Sequence, residues 1–218
     1  PNWLLPAWPW DGMKVDFTAM SEHAATAGLS RQLGFIREIN ALKDVLRKSL
    51  MPDTERYENS AEHSWHVAMM ADVLSEHANE TVDVGRVIRM LLIHDIVEVD
   101  AGDTDLYDAQ GRVDQHDREA RAARRLFGLL PEQQAAGFRA LWHEFEERKT
   151  ADARFAKALD RFQPLFLNFQ GGGVAWIRRG IRRDQVSDAS GVIADGSMSL
   201  WHEAQRLITE AHERGWLV

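Results

Sequence analysis

Cysteine is absent from the sequence, which excludes a disulfide, a thiolate-bound zinc and a cysteine nucleophile, so any metal must rest on His, Asp and Glu. That absence also suits a cytoplasmic protein. No apolar run approaches the roughly 20 residues of a membrane-spanning helix, and no membrane partner is expected. The opening stretch PNWLLPAWPWDGMK lacks the basic start and long apolar centre of a secretory signal. Its prolines and tryptophans are expected to form a docking arm, or an extension upstream of Met13. An excess of basic residues is missing too: the net charge is -8 and the sequence pI is near 5.6. This argues against a nucleic-acid polymer as partner while leaving room for a local basic pocket that holds a small phosphate. There is no internal repeat, no low-complexity run and no parallel-sheet pattern.

What is present is a chain of 218 residues, 44% hydrophobic, enough for one substantial core. The apolar periodicity is helical almost throughout and predicts an all-α bundle. Leu33, Ile36, Ile39, Leu42 and Leu46 recur at helical spacing, with Ser30 as N-cap. A loop, SLMPDTERYEN, follows. Ser60 then caps a second helix whose apolar face carries Trp65, Met69 and Val73, extending to about Ala78. A third helix starts near Asp83 and ends at Gly102. Further helices are expected over 114–127, after Pro131 with Phe138, Leu141, Trp142 and Phe145, and over 151–169 with a kink at Pro164. After the break at GGG, 171–173, only 199–212 reads as helix. The organisation expected is an N-terminal extension over 1–29, a helical core over 30–170, and a C-terminal helical segment over 171–218 packed on the core.

The chemistry is concentrated in LLIHDIVEVDAGD, residues 91–103. Val84, Val87, Ile88, Leu91 and Leu92 define an apolar stripe whose next positions are Asp95, Glu98 and Val99, and His94 lies one turn before Glu98. An unpaired carboxylate in a core costs several kcal/mol or takes up a proton, so a cluster of this kind calls for a partner, and a divalent cation is the most effective one. An isolated His-Asp pair at a helix end is more often a cap or salt bridge; the longer string HDxxExxxxD on a buried stripe favours a metal. Its remaining ligands must come from elsewhere in the chain, and spacing alone does not single them out. His66, His77, His116, His143, His202 and His212 read as surface or hydrogen-bonded core residues. RRGIRR, 178–183, reads as a solvated face or a subunit contact, and GGG lacks the lysine of a phosphate-binding loop.

The set RYENSAEHSWHVAMMA, LLIHDIVEVDAGD and KALDRFQP resembles the HD-domain superfamily of metal-dependent phosphohydrolases, nearest the 5'-deoxynucleotidase-like branch. The resemblance runs from about Phe35 to Phe169, with compatible order and spacing, and extends to LWHEAQRLITEAHERGWL. It implies an HD-domain helical bundle with one divalent ion held by His63, His94, Asp95 and Asp160. Two imidazoles and two carboxylates suit Mn, Co, Fe, Ni or Zn. It also implies catalytic roles for Glu98 and Asp103 and a phosphate-holding role for Arg47; charge on the transferring phosphoryl group calls for a cation, for which Arg56 is expected to join Arg47. The tryptophan that family members often place just after that arginine is missing from LRKSLMPD, where Leu50 or Met51 stands nearest the space. The expected activity is phosphate release from (deoxy)nucleoside 5'-monophosphates. The alternatives are hydrolysis of a cyclic nucleotide or another small phosphate ester, and a non-catalytic metal- or nucleotide-binding scaffold. The tryptophan-rich start and the arginine-rich segment after GGG point to a homodimer.

Overall fold

The computed structural model describes residues 27–52, 56–108 and 110–218. The N-terminal arm therefore lies outside the described residues up to position 26. Helix α1, Ala27–Ile39, begins before Ser30, which sits inside the helix rather than capping it. The helical periodicity does not continue to Leu46 as expected. A 3-10 turn, Asn40–Asp44, leads into strand β1, Leu46–Leu50, which pairs antiparallel with β2, Tyr57–Asn59. The reason is visible in the residues: Leu46 and Lys48 face solvent while Arg47 and Ser49 turn inward, a period of two. The expected loop thus has a strand at each end.

Helix α2, Ser60–Leu74, is capped by Asn59 and not by Ser60: the Asn59 side chain accepts from the Glu62 backbone N–H at 3.0 Å, and the Glu62 carboxylate accepts from the Asn59 N–H in return. The apolar face predicted for α2 is also corrected. Trp65, Met69 and Val73 are exposed, and the buried side is His63, Ser64, Val67, Ala68 and Ala71. Small side chains on that side let α2 lie close against α3, Val84–Ile93, and α7, Ala151–Gln170. Asp83 caps α3 by accepting from the Arg86 N–H. The third helix does not run unbroken to Gly102. It tightens into a 3-10 turn, His94–Val97, and resumes as α4, Glu98–Ala101, which Gly102 ends at φ 72°.

Helices α5, Gln115–Phe127, and α6, Glu132–Glu147, complete one side of the bundle; Pro131 stands at the N-cap of α6. Helix α7 is the central element, buried along much of its length and continuous through Pro164. Beyond GGG the chain forms three short helices that periodicity did not show, α8, Val174–Arg179, α9, Arg183–Ser190, and α10, Ile193–Gly196, before α11, Met198–Glu213. Segments of four to eight residues carry too few turns for a helical period to register. Trp176, Ile193, Ala204 and Leu207 join Phe155, Leu159 and Trp142 in one hydrophobic cluster. Among the described residues no helix is long and apolar enough to cross a membrane.

Helix α10 approaches α7 so closely that a Cβ at Gly196 would fall on the carbonyl oxygen of Arg154 and 2.8 Å from the Phe155 Cα. Both are backbone atoms of a buried helix and cannot swing aside. Gly196→Ala is therefore expected to destabilise the protein by about 1–3 kcal/mol, the usual cost of overpacking. Denaturant melts with an unchanged m-value would give this directly; an unchanged midpoint would mean that the two helices separate freely.

Candidate metal centre

Three helical segments bring the site together. The capping box at Asn59 starts α2 at a fixed point and puts His63 in its first turn, fully buried. The change from α to 3-10 geometry after Ile93 presents His94 and Asp95 on successive positions of a tightened turn. Asp160 projects from the middle of α7, whose start is fixed by Thr150 accepting from the Ala153 N–H.

The distances define a single focus. His63 Nε2 lies 3.1 Å from Asp160 Oδ1 and 3.9 Å from Asp95 Oδ2. His94 Nε2 lies 3.0 Å from Asp95 Oδ1 and 3.5 Å from Asp160 Oδ1. One atom each from His63, His94 and Asp160 falls within 4.8 Å of the others, a grouping able to hold a metal ion, and Asp95 borders it through both histidines. The second oxygen of Asp160 is occupied by Lys157, whose Nζ sits 2.9 Å from Oδ2 and over the Phe145 ring. Asp160 thereby offers one free oxygen toward the imidazoles.

The donor chemistry fits a cation. His94 Nδ1 is 2.7 Å from the Leu91 carbonyl, which can only accept, so a ring hydrogen is there and in the neutral ring the lone pair is on Nε2. Nε2 is buried and makes no aligned hydrogen bond, although two carboxylate oxygens lie close to it. A lone pair aimed at carboxylates is a ligand set in want of positive charge. The electrostatics agree. Burial disfavours the His94 imidazolium, yet Asp95 and Asp160 outweigh burial and push its pKa up to about 10. Burial also opposes the charged form of Asp95, but His94 and Arg47 hold it below the usual carboxylate range. Asp160 is likewise drawn well down against its burial, by Lys157 and Arg161.

The other expected residues divide. Glu98 stands at the start of α4, buried, and accepts a 2.6 Å hydrogen bond from the Ser60 hydroxyl. Burial, with Asp95 and Asp103 nearby, raises its pKa well above that of an ordinary glutamate. Asp103, just past Gly102, is raised by burial and by Asp95. Arg47 reaches in from β1, with Nη1 3.1 Å from Asp95 Oδ2 and 3.8 Å from Asp103 Oδ1, and Nε 3.5 Å from Glu58 Oε2. Arg56 is not brought in. It lies on the exposed side of the hairpin, hydrogen-bonded to Glu62 at 2.8 Å, and does not line the cavity. Leu50 and Met51 do not line it either; Lys48 and Ser49 occupy the wall after Arg47.

The cavity in front of the centre has a volume of about 310 Å³, and its wall includes Arg47, Glu98, Asp103, Tyr107, Lys157 and Arg161. Sequence reasoning missed Lys157, Arg161 and the buried pair Glu58 and Gln163. Lys157 carried a usable signal, three residues before Asp160 and so on the same helix face. Gln163, three residues after Asp160, stands on that face too, but its neutral amide gave no reason to single it out.

A helical chain that gathers two histidines and two aspartates from three segments around one buried focus defines a class of metal-centred helical proteins. The chain belongs to the HD-domain family, whose model matches residues 39–201. It is 34% identical over 140 residues to the 5'-deoxynucleotidase HDDC2 of Bos taurus, covering 63% of this chain and 66% of that one, just under two thirds of the relative's length. The Mus musculus protein of the same name is 31% identical over 148 residues, 67% of this chain and 71% of the relative. A crystal structure described as a predicted metal-dependent phosphohydrolase from Magnetospirillum magnetotacticum MS-1 superposes with a TM-score of 0.83 at 52% identity, covering 88% of this chain and 96% of that one.

Proposed function

We propose that the protein is a divalent-metal-dependent phosphohydrolase that releases phosphate from nucleoside 5'-monophosphates, with 2'-deoxyribonucleotides preferred. The observation that carries the reading is the pair of imidazole nitrogens converging with Asp160 and Asp95 on one buried focus, beside Glu98 and Arg47. The 5'-deoxynucleotidase relatives support the substrate class. His63, His94, Asp95 and Asp160 would hold one ion; among Mn, Co, Fe, Ni and Zn the mixed nitrogen and oxygen set does not select. A bound divalent ion supplies a Lewis acid for the phosphoryl oxygens and lowers the pKa of water.

The chain's own groups do the rest. Arg47 holds the phosphate, its guanidinium already aimed into the cavity by Asp95, Glu58 and Asp103. Glu98 takes the proton of the attacking water, its affinity for that proton raised by burial and by the neighbouring Asp95. Asp103, beside Arg47, relays that proton toward the 5'-oxygen as the bond from phosphorus to that oxygen breaks. Glu98 and Asp103 also favour catalysis over the scaffold alternative, because holding a metal needs neither. A cytoplasmic setting suits the cysteine-free composition.

Sugar discrimination is expected to be modest. The wall after Arg47 is Lys48 and Ser49, polar groups able to meet a 2'-hydroxyl, whereas even an apolar wall rejects an added hydroxyl only by about 100-fold. The ratio of kcat/KM for dAMP to that for AMP should therefore exceed unity and stay below about 100. Equal values, or phosphate released only from a cyclic nucleotide, would remove the deoxynucleotidase reading and keep the phosphohydrolase.

A homodimer belongs to the same reading. Arg179 pairs with Asp105 at 2.6 Å and Ile181 is buried, so the arginine-rich segment serves its own chain. The exposed row Trp65, Met69 and Val73 on α2, with Leu33 and Ile36 on α1, is the better candidate for a twofold contact. Light scattering at micromolar concentration should give twice the chain mass; a monomer there would count against this.

A further inference from the structure

Gln163 lies three residues after Asp160 on α7, fully buried between His63 on one side and Glu58 and His66 on the other. Its Oε1 is 3.0 Å from His63 Nδ1, and its Nε2 is 2.7 Å from Glu58 Oε1 and 3.2 Å from His66 Nδ1. A glutamine side chain has one accepting end and one donating end, and its neighbours decide which way it points. A carboxylate only accepts, so the amide hydrogens must face Glu58, itself 2% exposed and 3.5 Å from Arg47. His66 Nδ1, 3.2 Å from the same amide nitrogen, can accept its second hydrogen. The carbonyl end is then left for His63, and His63 Nδ1 must carry the hydrogen that meets it.

The consequence falls on the opposite nitrogen. With Nδ1 as donor, the neutral His63 ring keeps its lone pair on Nε2, the atom 3.1 Å from Asp160 Oδ1. The other tautomer would set two lone pairs against each other at Nδ1 and turn an N–H into the place of the ion. His94 obtains the same result from a main-chain carbonyl, at Leu91; His63, in the first turn of its helix, depends on a side chain brought from 100 residues away. We propose that Gln163, oriented by Glu58 and His66, is the positioning residue that fixes His63 in the Nδ1–H tautomer and so sets the affinity of the centre for its divalent ion. This rests on the metal-site reading above.

Zinc titration of the full chain tests it, with binding rather than turnover as the readout. Gln163→Leu keeps the bulk and removes the acceptor, and its zinc affinity should fall about 10- to 100-fold, the usual cost of losing an outer partner of a ligand histidine. The charge-swapped pair Gln163→Glu with Glu58→Gln retains an acceptor toward His63, a donor between the two side chains and the net charge. It should return affinity close to that of the unaltered protein. Nitrogen-15 spectra of the zinc-loaded unaltered protein supply a measurement that needs no variant: His63 should show a protonated Nδ1 and a zinc-shifted Nε2. Zinc bound as tightly by Gln163→Leu, no recovery in the swapped pair, or a protonated Nε2 on His63 would each overturn the proposal while leaving the metal site standing. Absence of zinc binding by the unaltered protein would overturn both.

Discussion

Glu98→Gln is expected to keep the metal and lose turnover by about 100-fold or more, the range associated with a general base. The substitution preserves length and shape, and the amide can still meet the Ser60 hydroxyl that now lies 2.6 Å from Oε2. Glu98 serves the proton and not the ion in this reading, and its Oε2 is taken up by Ser60, so occupancy is expected to hold. What is lost is the group on which burial and two neighbouring carboxylates have conferred a high proton affinity. Single-turnover phosphate release beside metal analysis of the same sample separates the two quantities. Turnover near that of the unaltered protein would transfer the proton-accepting role to Asp103.

Replacing a ligand has the opposite profile. His63→Ala and Asp95→Ala should each take the protein from close to one divalent ion per chain to none, with activity lost alongside. The effect is also readable without substrate. An ion at about 100 times its dissociation constant stabilises the fold it binds by about 2.7 kcal/mol, so added metal should raise the melting temperature of the unaltered protein and leave both variants unmoved. Asp95→Ala additionally deprives Arg47 of its 3.1 Å partner, which makes His63→Ala the cleaner test. Full occupancy in both would displace the centre from this site.

How far the site could be seen in the sequence depends on how each residue is carried. Asp95 and Glu98 stood out because an apolar helical stripe led straight into them, and of that stripe Val87 and Leu91 are buried, Val84 and Ile88 half-buried, and Leu92 exposed, with Met90 taking a place in the core instead. The 3-10 turn that follows was invisible, since 3.6 and 3.0 residues per turn diverge too little over four residues to alter a pattern. Arg47 was found only through its family resemblance; a five-residue strand is too short to override the helical period before it. Arg56 shared the arginine's charge and proximity in sequence, yet the hairpin turns it outward to Glu62. Trp65 and Met69 misled for a different reason. Large apolar residues at helical spacing ordinarily mark a core, and here the core side of α2 is made of small ones. Gln163 shares the helix face of Asp160 but was not picked out, because its role lies in a neighbour's tautomer and a neutral amide adds no charge to the pattern.

The ligands also have an order of arrival. His63 and Asp160 are 97 residues apart, and His94 lies between them on a third helical segment, so no fragment shorter than that span holds the centre. Closing so long a loop is slow relative to helix formation, which needs only local contacts. A refolding chain will thus acquire most of its helical signal before it can bind an ion. A metal-sensitive dye added during refolding should register uptake only in the final kinetic phase, making the ion a clock for the docking of α7 onto α2.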